Sequence, residues 1–279
     1  NLQKIKEFQR KYGNYLMQFD FFVATHTPVF CMLWEKYNKP IILINSCRYE
    51  QPFCWTNNMP MLQELNSSLK TLDQKKLLIP ISNNLADQYH LKINTNISSM
   101  HIPSLCLYTN AKYNPQRDNF LVYDTNNIIP NFPNTTKVYK YKSWSEIYNY
   151  KGIIHMPYEI STMALAEQYS ANIPLFMPSY EFLTSLLTQN KITFNGPYHK
   201  SHKQNAAWIK TWLDKADYYN EMKHIIYYSS FEQLEKLLEM SSSDLLSVSN
   251  KMKLYNKTRV NNYINLWRNS LMQIFPDNI

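Results

Sequence analysis

Along the first hundred residues, runs of consecutive apolar residues alternate with segments whose apolar residues recur at helical spacing. Continuous apolar runs predict strands buried on both faces, and the helical spacing predicts amphipathic helices. Thr27 and Pro28 mark the start of the first predicted helix, as N-cap and first helical residue. The predicted strands are 19–25, 39–46, 76–82 and 100–109, and the predicted helices are 27–38, 59–72 and 84–93.

The alternation resumes after a polar, turn-rich stretch at 110–119, which we predict to be a linker. Ser143 and Ser179 are the predicted N-caps of two of the helices that follow it. No element is predicted for 190–223. The strands are expected at 120–124, 136–141, 151–158, 173–178 and 224–230, and the helices at 143–150, 161–171, 179–189, 231–240 and 241–275.

Strands that alternate with helices in this way predict an α/β protein built on parallel sheets. Its 279 residues are enough for two domains. The linker predicts a boundary between an N-terminal domain at 1–115 and a C-terminal domain at 116–255. A C-terminal helix at 256–279 is expected to pack back on the first domain.

Composition narrows the chemistry that the chain can perform. Only three glycines occur, at positions 13, 152 and 196. Both G-x-G-x-x-G and the P-loop need several glycines within one turn, so neither phosphate-binding loop is present. A bound phosphate would have to be held by a helix N-terminus and by cationic side chains. Lys112, Lys140 and Lys142 are candidates for that role, although each also fits a solvated surface lysine.

The net charge of +8 and the aromatic content of 15% leave two interpretations open. One is a nucleic-acid-binding protein that uses a basic, aromatic surface, and the other is an enzyme that acts on an anionic substrate. Lys and Arg are dispersed along the chain, which favours an ordinary solvated surface. No apolar run is long enough for a membrane-spanning helix. The four cysteines form no C-x-x-C pair, which favours a reducing, cytoplasmic location.

Polar residues follow the predicted strands of the N-terminal half. His26 comes directly after the first strand, and Arg48 and Glu50 follow the second. In parallel sheets, ligands bind outside the carboxyl ends of the strands. His26 is the first candidate for a general base because imidazole titrates near neutral pH, and Glu50 is the alternative. Each also fits a structural role, in a loop or a surface ion pair.

The segment 155–176 is the most informative part of the C-terminal half. Glu159 and Glu167 are eight residues apart, between Pro157 and Pro174, in a predicted strand–loop–helix–strand context. An ionised carboxylate accepts two hydrogen bonds side by side, which suits a vicinal diol. The predicted helix opens with two hydroxyl residues, whose backbone amides are a potential anion site. Those two residues are Ser161 and Thr162.

This segment resembles the donor-binding segment of glycosyltransferases with the GT-B fold, which carry two glutamates separated by seven residues and a proline that opens the next strand. The chain has Ile160 and Asn172 where that family usually has glycine. The resemblance implies two Rossmann-like domains facing across a cleft, with the acceptor on the N-terminal domain. It also implies a nucleotide-sugar co-substrate, no further cofactor and no metal. The donor would be bound by Arg48, His155, Tyr158, Glu159, Ser161, Thr162 and Glu167, and Trp144 fits either the nucleobase pocket or the core.

Three longer stretches, THTPVFCMLWEKYNKPIILINSCRYE, ISNNLADQYH and IHMPYEISTMALAEQY, are similar to the exostosin-like xylosyltransferases of large algal DNA viruses. This resemblance implies transfer of xylose from UDP-xylose to a glycan acceptor, in the assembly of capsid N-glycans in the host cytoplasm. No D-x-D motif occurs, which argues against the metal-dependent GT-A alternative. A nucleic-acid-binding protein without catalysis, and a sugar-binding relative that has lost catalysis, remain alternatives.

Overall fold

The computed structural model describes residues 1–137, 143–194 and 205–272. Two of the candidate lysines, Lys140 and Lys142, lie outside the described residues. So do His199 and His202, for which the sequence predicts a loop. The chain divides into two compact units. Unit 1 comprises Asn1–Pro103 and the residues from Asn265 onwards, and unit 2 comprises Ser104–Ile264.

Unit 1 is a parallel sheet with helices on its crossover connections. The sheet order is β1-β2-β3-β4, and each neighbouring pair is parallel. Ile41 and Leu43 are fully buried in its centre beneath Leu65 and Leu69. The strands are β1 (Phe22–Ala24), β2 (Ile41–Asn45), β3 (Leu78–Ser82) and β4 (Met100–His101), and the helices are α1 (Leu2–Leu16), α2 (Cys31–Trp34), α3 (Met59–Gln74) and α4 (Leu85–Thr95).

Three features of unit 1 differ from the sequence prediction. Helix α1 was not predicted, although Ile5 and Phe8 pack against the core at helical spacing. The helix expected at 27–38 is a four-residue α2 between two 3₁₀ turns, and the side chain of Thr27 makes no capping hydrogen bond. Strand β4 ends at His101, well short of 109, because Pro103 lies two residues further on and has no amide to donate.

Unit 2 is a second parallel sheet, in the order β6-β5-β7-β8-β9. The α/β class with two parallel sheets is therefore confirmed. The strands are β5 (Phe120–Asp124), β6 (Thr135–Lys137), β7 (Ile153–Met156), β8 (Leu175–Pro178) and β9 (Ile226–Tyr228). The helices are α5 (Trp144–Ile147), α6 (Met163–Ser170), α7 (Tyr180–Thr188), α8 (Ala206–Leu213), α9 (Asp217–Asn220), α10 (Phe231–Leu237) and α11 (Ser242–Met272). The residues of α11 from Asn265 onwards belong to unit 1.

The N-caps predicted in this half are present. The hydroxyl of Ser143 accepts a hydrogen bond from the amide of Glu146 at 3.3 Å, and that of Ser179 accepts one from the amide of Phe182 at 3.2 Å. Each bond satisfies an amide that would otherwise lack a partner in the first turn of its helix.

The stretch 110–119 is part of unit 2 and is not a free linker. The amide of Tyr113 donates to the carbonyl of Ala171 at 3.2 Å, and the amide of Asn114 donates to the carbonyl of Tyr148 at 3.1 Å. Backbone hydrogen bonds thus tie the stretch to α6 and α5, and the division between the units falls after Pro103. Across the described ranges, no helix is both long and apolar enough to cross a membrane.

Candidate functional site

The sheet of unit 2 has a point at which the strand order reverses. From β5 the chain crosses first to β6 on one side and then to β7 on the other. Helices on the two sides of such a point diverge, and ligands of open α/β sheets bind in the crevice outside the carboxyl ends of these strands. Asp124 ends β5 and Met156 ends β7. The residues that follow β7 are those that the sequence predicts to bind a donor.

Glu167, in the second turn of α6, is flanked by two aromatic side chains. Its carboxylate accepts a hydrogen bond from the hydroxyl of Tyr108 and one from the indole N–H of Trp144, the latter at 3.2 Å. The two rings meet edge to face, 6.0 Å apart. Desolvation and the bond to Glu167 raise the pKa of Tyr108, so its hydroxyl stays protonated and donates.

This Glu167 cluster (Tyr108, Trp144 and Glu167) combines an acceptor with aromatic surface. Tyr108 is 61% exposed, and Trp144 and Glu167 are half-buried. A carboxylate has about four lone-pair sites, so two occupied sites leave room for further donors. Such an arrangement can accept bonds from a diol while an aromatic face packs on a planar ring.

Tyr108 and Trp144 were not assigned to the site from sequence. Tyr108 lies in a segment that the sequence predicts to be a strand, but it occupies a 3₁₀ turn at Leu107–Thr109. Trp144, which by sequence fits either the core or a nucleobase pocket, is half-buried and donates its indole N–H to Glu167. The contacts of Tyr108 and Trp144 with Glu167 span 59 and 23 residues of chain, and no local pattern encodes them.

The start of α6 differs from the simple anion site that the sequence suggests. Thr162 is the N-cap, and its side chain accepts from the amide of Leu165 at 3.3 Å. The hydroxyl of Ser161 donates to a carboxylate oxygen of Asp217 in α9. Asp217 therefore brings a negative charge to this helix start, and the Ser161 hydroxyl is already engaged.

Glu159 and Tyr158 lie in the loop between β7 and α6. Tyr158 is exposed. Glu159 is buried, and one of its carboxylate oxygens accepts from the amide of Ile160 at 3.0 Å. Its charge contributes, after burial, to raising the pKa of the fully buried Tyr218. Glu159 thus takes part in the packing of the loop, whereas Tyr158 is accessible to solvent.

His155 does not reach outwards as the resemblance implies. Its side chain lies in the core, 8% exposed, with its ring stacked 5.2 Å from that of Tyr123. One ring nitrogen, Nε2, is 2.6 Å from the amide oxygen of Gln168. Burial lowers the pKa of His155 to about 4, so the ring is neutral at physiological pH. A neutral, enclosed imidazole does not fit the expected contact with a sugar or a phosphate.

In unit 1, His26 lies just beyond the carboxyl end of β1. It is exposed, and its backbone has a φ of 69°, in the left-handed region. The amide of Thr27 donates to the carbonyl of Thr25 at 2.8 Å, so His26 is the central residue of a γ-turn. The positive-φ form of this turn is rare and strained. Strain of this kind is concentrated at functional sites.

Glu50 and Arg48 are held in a more closed environment after β2. Glu50 is 7% exposed, and one of its carboxylate oxygens is 2.7 Å from Nε2 of His90 in α4. Arg48 is half-buried next to Cys47, whose thiol donates to the side-chain oxygen of Gln51 at 3.0 Å. Glu50 is thus paired with an imidazole that the sequence analysis did not identify. That pair counts against Glu50 as the exposed alternative to His26.

Potential metal ligands are scattered in the part of the chain that the structure covers. Within 1–137, 143–194 and 205–272, no three His, Cys, Asp or Glu side chains come together as a set of ligands. The four cysteines form no disulfide; Cys31 and Cys106 are buried, and burial raises the pKa of the Cys106 thiol to about 11.

No protein-family model and no curated protein matches this sequence. Among solved structures, the chain is similar to the crystal structure of CalG4, the calicheamicin glycosyltransferase, with a TM-score of 0.39 and 11% sequence identity. The similarity covers 94% of this chain and 77% of CalG4. A TM-score and an identity this low carry no argument about function.

Proposed function

We propose that the protein is a glycosyltransferase that uses a nucleotide sugar as donor. The observation that carries this proposal is the Glu167 cluster, in which a carboxylate on α6 lies between an exposed tyrosine and a half-buried tryptophan. A nucleoside presents a vicinal diol beside a planar base. Glu167 supplies acceptors for the diol, and Tyr108 and Trp144 supply rings for the base.

The strand reversal between β5 and β7 supports the same assignment, because open α/β sheets bind nucleotides at such a point. Tyr158 is the next residue of this edge that we assign to the donor, since it follows β7 and is exposed. The start of α6 at Ser161 and Thr162 stays the candidate for the donor diphosphate through its backbone amides. The Ser161 hydroxyl already donates to Asp217, and that carboxylate opposes a second negative charge, which makes this the weaker part of the assignment. Glu159 and Arg48 remain weaker candidates, since both are engaged within their own units.

For the acceptor we assign the general base to His26. The role needs an accessible group with a pKa near neutrality, and imidazole is the side chain that ordinarily has one. His26 is exposed and fixed by its γ-turn. The paired and buried Glu50 is the second candidate.

The finer proposal is transfer of xylose from UDP-xylose to a glycan, in viral capsid N-glycan synthesis in the host cytoplasm. It rests on the sequence resemblance to exostosin-like xylosyltransferases alone. We propose that neither a metal nor a cofactor is required besides the nucleotide sugar. Turnover that survives EDTA would support this, and turnover that is lost on chelation and restored by Mg²⁺ would contradict it.

The deciding experiment measures UDP binding by isothermal titration calorimetry with the intact protein and with Glu167→Gln. A charged hydrogen bond contributes about 1.5–3 kcal/mol, so we expect the substitution to weaken UDP binding by that amount. Glu181→Gln is the matched control, because Glu181 is an exposed carboxylate of the same unit on α7.

Equal UDP affinity in Glu167→Gln, with the fold retained by circular dichroism, would contradict the site. Absence of UDP binding combined with a salt-dependent affinity for DNA or RNA would favour the nucleic-acid alternative. UDP binding without turnover of any nucleotide sugar would indicate a relative that has lost catalysis.

A further inference from the structure

Unit 2 contains a cavity of about 420 Å³ away from the Glu167 cluster. It lies at the opposite end of α6 from Thr162, where Ser170, Ala171 and Asn172 form one wall. The stretch 106–113 forms a second wall, and the first turns of α11, from Leu246 to Lys253, form the third. This volume is in the range of small-molecule sites.

The charged side chains that line the cavity are both cationic. Lys112 comes from the 106–113 wall and Lys253 from α11, and no Asp or Glu is among the lining residues. Neither ammonium group has a hydrogen-bond or ion-pair partner among the described residues. Both lysines are exposed, and two cationic side chains on one cavity attract an anionic ligand.

The cavity also offers neutral hydrogen-bonding groups. The side chains of Thr109, Asn110 and Asn250 line it and have no hydrogen-bond partner among the described residues. Ser249 is the most enclosed of these polar groups, 6% exposed, and its hydroxyl is likewise without a partner there. Asn110 and Asn250 are exposed, so their side chains can exchange contacts with water for hydrogen bonds to a ligand rich in hydroxyls.

The end of α6 would oppose an anion if its carbonyl groups were bare, because a helix C-terminus carries partial negative charge. Here those groups are engaged. The carbonyl of Tyr169 accepts from the side-chain amide of Asn256 at 2.9 Å, and the carbonyl of Ala171 accepts from the amide of Tyr113 at 3.2 Å. The lysines therefore dominate the electrostatics of the cavity.

From this geometry we propose a second ligand site in unit 2, which binds a small anionic, hydroxyl-rich molecule of the sugar-phosphate class. Lys112 and Lys253 bind the anionic group, and Ser249, Asn110 and Asn250 bind hydroxyls. The 3₁₀ turn Leu107–Thr109 joins the two sites, since Leu107 and Thr109 line the cavity while Tyr108 contacts Glu167.

The test uses glucose 6-phosphate as probe, in isothermal titration calorimetry with the intact protein. We expect binding of glucose 6-phosphate and no measurable binding of glucose at the same concentration. Exposed ion pairs each contribute up to about 1 kcal/mol, so the double variant Lys112→Gln/Lys253→Gln is expected to weaken binding about tenfold. The control Lys251→Gln/Lys257→Gln removes the same charge from exposed positions on α11 outside the cavity and is expected to bind normally.

Two further arms separate this site from the donor site. Binding of the probe is expected to persist in Glu167→Gln and in the presence of saturating UDP. The proposal is overturned if neither glucose 6-phosphate nor inorganic phosphate binds the intact protein, if both double variants bind equally, or if UDP displaces the probe. None of these outcomes depends on whether the protein transfers a sugar.

Discussion

The two units share a fold class but differ in how their sheets are ordered and in how their polar edges are used. In unit 1 the strands follow chain order, and the polar groups beyond their carboxyl ends pair with one another, as Asn45 does with Ser82 and Glu50 with His90. In unit 2 the order reverses at β5, and Glu167 contacts two rings at an accessible edge.

This difference indicates which edge is available to a ligand. Polar groups that hydrogen-bond each other in a buried network stabilise a fold, and few of their donors and acceptors remain available to a substrate. A reversal of strand order leaves a crevice, and the groups around it stay accessible. His26 is the exception in unit 1, because it is exposed and strained beside an otherwise paired edge.

The largest expected effect tests that exception. If His26 is the base, His26→Ala should lower turnover by about 10²–10⁴, the usual contribution of general-base catalysis. UDP affinity should be unchanged, since the donor is assigned to unit 2. Steady-state kinetics with UDP-xylose, together with calorimetric titration of UDP, measure the two quantities separately.

His224→Ala is the matched control for this substitution. His224 is also exposed and also has a positive φ, 65°, but it precedes β9, at the amino end of its strand. It should keep normal turnover. If His26→Ala turned over as fast as His224→Ala, His26 would not be the base. Glu50 would then be the remaining candidate, and Glu50→Gln would test it.

The fold class could be predicted because each strand except β4 and β6 is a short, mostly apolar run within a predicted segment. Helix α1 was missed because its polar residues outnumber its apolar ones, and what holds it is packing of Ile5 and Phe8 on a core formed elsewhere. The stretch 110–119 has the composition of a linker, and backbone hydrogen bonds to distant carbonyls decide its actual role.

For the proposed site, sequence position nominates Glu167 and His26 as candidates but says nothing about which side chains surround them. A histidine at a strand end looks the same in sequence whether it faces out or in, and His155 faces in because Tyr123 and Gln168 enclose it. The pairing of Glu50 with His90 depends on how α4 packs against β3 and β4, which local spacing does not encode.

A smaller effect is expected from the glycines of the two units. A Cβ at Gly152, before β7, would lie 2.9 Å from the carbonyl oxygen of Pro174 and 3.0 Å from the ring of Phe176. Overpacking of this kind costs about 1–3 kcal/mol, so Gly152→Ala should lower the melting temperature. Gly13→Ala should raise it, because alanine favours a helix interior by about 1 kcal/mol and the nearest atom, Tyr37 Oη, is 3.6 Å away.

Thermal unfolding followed by circular dichroism gives both shifts. A lower melting temperature for Gly152→Ala, together with a higher one for Gly13→Ala, would support the conclusion that unit 2 requires β7 to pack closely against β8. Helix α1 has no such requirement at Gly13. If Gly152→Ala were as stable as the parent chain, β7 and β8 would have to move apart at that point to accommodate the added methyl group. The close approach of Gly152 to Pro174 would then not limit which residue position 152 can hold.

A pH-dependent effect concerns His155, whose ring is enclosed in unit 2 beside the side-chain amide of Gln168. Burial lowers the pKa of His155 from 6.5 to about 4. As the pH falls below 6.5, the unfolded chain takes up a proton at this position while the folded chain does not. The free energy of unfolding should therefore fall by about 1.4 kcal/mol per pH unit across that window and level off below it. Urea unfolding at several pH values measures the slope, and His155→Gln, which cannot titrate, should be less pH-dependent by that amount. Parallel curves for the parent chain and His155→Gln would show that His155 ionises in the folded state as readily as in the unfolded one, and would reopen the outward-facing role that its enclosure now opposes.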